Sequence, residues 1–291
     1  MIDLHIHTSN SDGKYSTKEI LEMAEKKHIN TISICDHNKV KAYRDIEKLD
    51  VKKIYSGNII TGIEFDMTYE KKLFHILGYN FDVEKLEKSK YIDRSTKEDN
   101  LKFENDNLEF LKSVCKKLGI KLSDNLVVTS PNLPANDIIK EDMMSYREND
   151  KILDELLGKN REISFWRGHV TNPESPFFID FTKGLPNTKE IADEIHNCGG
   201  IVVLPHVFEY KSIDNIEFLN NMYDMGILDG IECIHTKHTK EQTEYLKEYA
   251  KQRELLISGG SDFHNDKEHC LGYGDKGHLE ITDEYCLKKV I

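Results

Sequence analysis

Asp3-Leu-His-Ile-His-Thr-Ser-Asn-Ser-Asp-Gly13 stands near the start of the chain, with the short apolar run Met1–Ile6 leading into it. Alternate residues of a strand point to one side, so His5 and His7 present two imidazoles together at the strand's carboxyl end. Two such rings can chelate one metal ion, and Asp12 follows close behind. A lone His-x-His pair is weak; the repetition further along the chain is what gives it weight. Asp36-His37 follows the apolar run Thr31–Cys35, and Glu64 ends the run in Gly62-Ile-Glu64. His75 lies in Leu73–Tyr79, His206 follows Ile201–Pro205, and Asp262-Phe-His264 follows Gly259-Gly-Ser261. Residue types that ligate metals thus recur after successive apolar strands. In α/β barrels the carboxyl ends of the strands build the active site.

The rest of the sequence supplies the helices such a barrel needs. Ser16-Thr-Lys-Glu19 reads as a capping box opening a helix to about Lys27, and Thr239-Lys-Glu-Gln242 opens another to about Gln252. A third helix spans about Thr188 to Cys198, stops at Gly199-Gly200, and is followed at once by the strand Ile201–Leu204. Gly230–Ile234 and Leu255–Ser258 are further strands. Strand–helix alternation with continuous apolar strands predicts a parallel α/β sheet or barrel. From about Val83 to Pro186 the strand pattern is lost, while Leu108, Leu111, Val114 and Leu118 keep helical spacing. The expected organisation is a barrel from residues 1–82 and 186–291, with a mainly helical insertion, a cap, at 83–185.

The 291 residues suit one large α/β domain with an insertion, and 38% apolar content is enough for a core. A net charge of −12 argues against nonspecific binding to long nucleic acid or an anionic membrane. It leaves a small anionic substrate open, because bound metals reverse the local sign. The six cysteines form no C-x-x-C pair and are scattered, so reduced thiols are expected rather than a disulfide framework. With no signal peptide and no apolar stretch long enough to span a bilayer, a cytoplasmic location is the expectation.

The stretch Asp3–Gly13 resembles the first motif of the PHP (polymerase and histidinol phosphatase) family. Cys35-Asp-His-Asn38 resembles the second, Leu204-Pro-His-Val207 the third and Gly260-Ser-Asp-Phe-His264 the fourth, with Gly62-Ile-Glu64 and His75-Ile-Leu-Gly78 between them. The resemblance implies a distorted (β/α)7 TIM-like barrel that binds two or three divalent metals and hydrolyses phosphate esters. Carried onto this chain, His5, His7, Glu64 and Asp262 should hold the first metal. Glu64, His75 and His206 should hold the second, and Asp12, His37 and His264 the third. Asp36 is expected to support ligands rather than to be one. Catalysis is expected of Asp36, Glu64, Asp262 and His264. The mixed nitrogen and oxygen donors suit Mn²⁺, Fe²⁺ or Zn²⁺. A hydroxide shared by the metals would then attack phosphorus, with no side-chain nucleophile.

The insertion resembles in position that of PHP enzymes acting on nucleotides, whose Arg-Pro-His segment has Arg167-Gly-His169 as its nearest counterpart. Arg167 and His169 are therefore candidates to grip phosphate, as are Arg147, Arg161, Lys237 and His238. The expected reaction is hydrolysis of a phosphomonoester of a nucleotide or another small metabolite. A phosphodiesterase or 5′-to-3′ exonuclease on short RNA is the alternative, and a non-catalytic PHP regulatory module a third reading.

Overall fold

The computed structural model describes residues 1–130, 133–158, 165–210, 213–266 and 270–272, with the side chain of Arg167 excepted. The chain divides into two compact units. One comprises Met1–Asp93 with the described residues from Gly184 onward, and the other is Arg94–Lys183.

Seven strands form the first unit's sheet, each beside its neighbours in sequence order. They are β1 Ile2–Ile6, β2 Thr31–Ile34, β3 Asn58–Tyr69, β4 Lys72–Tyr79, β5 Ile201–Leu204, β6 Gly230–His235 and β7 Leu256–Gly260. The ends meet: His7 N–H donates to the Phe263 carbonyl at 3.0 Å, and Asp262 N–H to the His5 carbonyl at 2.9 Å. The sheet is therefore a nearly closed, distorted barrel. Asp3 reinforces the seam, its buried carboxylate accepting from Ser261 N–H at 2.9 Å and Ser261 Oγ at 2.6 Å.

The barrel is not all parallel, contrary to expectation. β4 runs antiparallel to both β3 and β5, while the other pairs are parallel. β3 and β4 form a hairpin whose turn residues, Glu70 and Lys71, have positive φ of 49° and 61°. Two consecutive left-handed residues match the right-handed twist of the flanking strands. β3 also runs on to Tyr69, so Glu64 lies within a strand rather than at its end, and His75 lies within β4.

Helices α1 Thr17–Lys26 and α2 Lys41–Ile46 follow β1 and β2; the short α3 Val83–Leu86 follows β4. In the second unit come α4 Lys97–Leu118, α5 Ala135–Ser145 and α6 Asp150–Leu157; in the first again come α7 Thr188–Asn197, α8 Asn215–Asp224 and α9 Lys240–Gln252. Ser16, Asn187 and Thr239 cap α1, α7 and α9, each with its reciprocal capping box. Apolar residues of these helices pack on the strands: Ile20, Leu21 and Ala24 of α1, Ile191 and Ile195 of α7, and Leu246 and Ala250 of α9 share a core with Leu4, Ile32, Ile63, Val203 and Ile231. Among its described residues the second unit contains helices and no strand, with its own core of Leu108, Leu111, Val114, Cys115, Ile139, Met143, Leu153 and Phe177. No helix among the described residues is long and apolar enough to cross a membrane.

Candidate metal centre

Six of the seven strands, or the turns that follow them, contribute to the clustered imidazoles and carboxylates. β1 delivers His5 and His7, the turn after it Asp12, and the turn after β2 His37. β3 delivers Glu64 and Asp66, β4 His75, the turn after β5 His206, and the turn after β7 Asp262 and His264. His5, His7, Glu64 and His206 are buried, whereas Asp12 reaches half into solvent. Three backbones here are left-handed without being glycine: Asn38 at φ 53°, His206 at φ 29° and Asp262 at φ 54°. Each such residue costs about 1 kcal/mol or more, a strain that surrounding structure must over-determine.

Donor atoms come together in groups, each group's atoms within 4.8 Å of one another. His5, His7, Glu64 and Asp262 form one, Glu64, His75 and His206 a second, and His7, Asp12, His37 and His264 a third; His37, Asp66 and His75 form a fourth. The first three contain the sets expected from the motifs, with His7 additionally facing Asp12.

A neutral imidazole has one N–H and one lone pair, so its hydrogen bond decides which nitrogen can ligate. His5 donates from Nδ1 to Glu232 Oε1 at 3.0 Å, leaving Nε2 for the cluster, 3.3 Å from Glu64 Oε2. His37 donates from Nδ1 to Asp66 Oδ1 at 3.1 Å, leaving Nε2 3.4 Å from Glu64 Oε2 and 3.7 Å from Asp12 Oδ2. His264 donates from Nδ1 to the Asp262 carbonyl at 2.9 Å, leaving Nε2 3.0 Å from Asp12 Oδ2. His206 Nε2 lies 2.9 Å from Glu64 Oε1. His7 differs: it is buried and neither ring nitrogen makes a hydrogen bond, although Asp262 Oδ1 lies 3.2 Å from Nε2 and Asp12 Oδ1 3.4 Å from Nδ1. His75 Nδ1 is orphaned in the same way, 3.0 Å from Glu64 Oε1.

Buried polar atoms without hydrogen bonds are costly. Lone pairs and carboxylate oxygens converging on shared points are what divalent cations satisfy, and the residues therefore fit a metal centre. The electrostatics agree. Burial by itself lowers the pKa of His5, yet Glu232, Glu64 and Asp262 raise it well above its ordinary value. Burial raises Glu64, but His75, His37 and His5 pull it well below the carboxylate range. The cluster demands positive charge, from protons or from metals.

Several residues outside the motifs take part. Glu232 of β6 accepts from His5 through one oxygen and from the His206 backbone N–H through the other, at 2.8 Å. His235, also on β6, accepts the Lys237 backbone N–H at Nδ1 and points Nε2 towards Asp262 Oδ2 at 3.5 Å. Asp66 faces His37 and His75. Asp36 belongs to no ligand group; it accepts from Thr8 N–H and Oγ, both at 2.7 Å, and from Ser11 Oγ at 2.8 Å, which holds the turn carrying Asp12.

The match to known proteins fits this arrangement. The PHP domain description matches residues 3–282. The chain belongs to the PHP domain family. As a PHP protein it is a metal-dependent phosphoesterase, a hydrolase of phosphate esters. A 5′-3′ exoribonuclease of Haemophilus influenzae is 25% identical over 265 residues, covering 90% of this chain and 89% of the relative. A 5′-3′ exoribonuclease of Escherichia coli is 23% identical over 263 residues, covering 90% and 84%. A phosphoribosyl 1,2-cyclic phosphate 1,2-diphosphodiesterase of Eggerthella lenta is 23% identical over 269 residues, covering 90% and 93%. Among solved structures, an amidohydrolase from Chromobacterium violaceum with bound sulfate and no metal aligns at TM-score 0.65 and 19% identity, covering 99% of this chain and 95% of its own. Likeness at that identity speaks for the fold alone.

The candidates for gripping phosphate fall in both units of the chain. Lys237 Nζ lies 3.5 Å from Glu209 Oε2, and His238 is buried with Nδ1 donating to the Cys233 carbonyl at 3.3 Å. Arg147 is exposed in the second unit. His169, in the same unit, packs its ring against Phe165 at 5.6 Å; burial, then Lys140, lowers its pKa. Arg161 and the Arg167 side chain lie outside the described residues.

Proposed function

We propose that the metals sit in the first three donor groups and that the reaction is cleavage of a phosphodiester at the 5′ end of a short RNA. Under this reading His5, His7, Glu64 and Asp262 hold one divalent ion, Glu64, His75 and His206 another, and Asp12, His37 and His264 a third, from among Mn²⁺, Fe²⁺ and Zn²⁺. When bound, such ions supply Lewis acidity to phosphoryl oxygens and make a coordinated water far more acidic. The chain's part is to hold the ligands in their metal-competent tautomers and to exclude a competing nucleophile. Burial pushes the Cys35 thiol up to about 12, so it supplies no thiolate.

The observation that carries the substrate is the carboxylate count around the ligands. Three divalent ions bring six charges, and the carboxylates assigned as ligands, Asp12, Glu64 and Asp262, leave a surplus of three. Asp66 and Glu232, which contact His37 and His5, reduce it to one. A site close to neutral suits the single charge of a diester better than a dianionic monoester. The exoribonuclease and diphosphodiesterase relatives, each matched across 90% of the chain, support the same choice. The net charge of −12 favours short substrates over long ones.

The second reading, a phosphomonoesterase on nucleotides or other small metabolites, rests on the compact, buried donor set around Glu64. The test is a 5′-phosphorylated short RNA beside a nucleotide panel, with Mn²⁺. Stepwise release of mononucleotides supports the proposal. Inorganic phosphate from monoesters, with the RNA intact, transfers the assignment to the second reading.

A further inference from the structure

Asp66 lies two residues beyond Glu64 on β3, on the same face, and directly opposite His75 in the antiparallel pairing with β4. Its Oδ1 accepts from His37 Nδ1 at 3.1 Å and faces His75 Nε2 at 3.4 Å. Its Oδ2 accepts from Asn38 Nδ2 at 2.6 Å, and its backbone N–H donates to Asn38 Oδ1 at 2.9 Å. Asn38 is itself pinned, its N–H donating to the Glu64 carbonyl at 2.8 Å. The reciprocal bonds leave the Asp66 carboxylate little freedom. One oxygen is committed to Asn38 and the other to the two imidazoles.

His37, Asp66 and His75 also bring donor atoms within 4.8 Å of one another, so a separate cation there must be weighed first. His37 argues against it. A ring that donates Nδ1–H to Asp66 has its lone pair at Nε2, which points to Asp12 and Glu64. It cannot serve both groups at once as a neutral imidazole.

We propose that Asp66 is a positioning residue for two of the three metal positions. It fixes the tautomer and ring plane of His37, and turns His75 so that Nδ1 meets Glu64. It thereby links the Asp12–His37–His264 position to the Glu64–His75–His206 position and leaves the His5–His7–Asp262 position to Glu232. This rests on the metal assignment proposed above and is independent of the substrate. Carboxylates that orient ligating histidines typically contribute 10- to 100-fold in metal affinity.

The test is metal binding, measured on the full chain by competition of Mn²⁺ and Zn²⁺ with a chromophoric chelator, and by metal analysis after dialysis. In Asp66→Ala, all but one of the ions bound by wild type should weaken by roughly 10- to 100-fold, while one keeps its wild-type affinity. Asp66→Asn, which keeps an acceptor oxygen for His37, should fall between the two, and thermal melting of the metal-free proteins checks that each variant folds. Equal weakening of every ion, or no change in any, overturns the proposal. If Asp66→Ala does not fold, Asn38→Ala replaces it: freeing the carboxylate should weaken the same ions, and unchanged binding overturns the proposal. Because no substrate enters the measurement, failure of the RNA assignment leaves the result intact.

Discussion

His5 and Glu232 stand 227 residues apart in sequence and 3.0 Å apart in the barrel, where Nδ1–H of the first meets Oε1 of the second. The other Glu232 oxygen accepts the His206 backbone N–H at 2.8 Å, so one buried carboxylate supports ligands in two donor groups. Glu232→Gln keeps the size but has only one acceptor oxygen for two donors. It should weaken metal binding by about 10- to 100-fold, read by chelator competition. Binding as tight as wild type would show that His5 does not need this partner.

The motifs made much of this centre legible in advance, because His-x-His at a strand end and Asp-x-His after a glycine pair mark their own positions. What periodicity does not reveal is strand direction. Alternation with helices predicts a parallel sheet, yet β4 runs against both neighbours, and its hairpin turn, Glu70-Lys71, lacks the Asn-Gly or Asp-Gly signal that would mark it in the sequence. The same hairpin extends β3 past Glu64 and brings Asp66 opposite His75. Asp66, Glu232 and His235 carry no local signal of their role, because each acts on a ligand delivered by another segment. The helix starts were legible for the opposite reason: a capping box is complete within four residues.

Barrel closure can be tested at Gly260. β7 approaches β1 so closely there that a Cβ would meet the His5 side chain and lie 2.6 Å from its backbone N. Backbone cannot yield as a flexible side chain does. Gly260→Ala should therefore destabilise the protein by about 1–3 kcal/mol, the usual cost of overpacking, and should displace His5. Thermal unfolding reads the first effect and metal affinity the second. A variant as stable as wild type would mean that the seam between β1 and β7 is looser than the structure shows.

The thiols should divide by burial. Burial pushes both Cys35 and Cys115 up to about 12, whereas Cys270 is exposed. Native protein treated with iodoacetamide near neutral pH should therefore be modified at Cys270 well before Cys35 or Cys115, as read by peptide mass spectrometry. Cys286 lies outside the described residues. Rapid modification of Cys35 in folded protein would contradict the closed packing behind the metal centre.

Protons and metals should compete for the cluster, and the sign follows from the metal-free protein. His264 moves from 6.5 to about 9: burial lowers it, but Asp12 and Asp262 raise it further; His5 and His37 move in the same direction. A group whose folded pKa is raised stabilises fully below its unfolded pKa and loses that contribution as pH rises through the folded value. The chelated protein should therefore lose stability between about pH 6.5 and pH 9. Glu64 and Asp262 are depressed, so their contribution is present above the ordinary carboxylate range and lost as pH falls below it. Metal-loaded protein should escape the alkaline loss, because the ions replace the protons that the histidines give up. Melting temperatures of chelated and Mn²⁺-loaded protein across this range check the first part. Titration calorimetry in buffers of different ionisation enthalpy at pH 7.5 should register proton release on metal binding. A melting temperature of the chelated protein that rises from pH 6.5 to 9 would contradict the charge balance described for His5, His37 and His264.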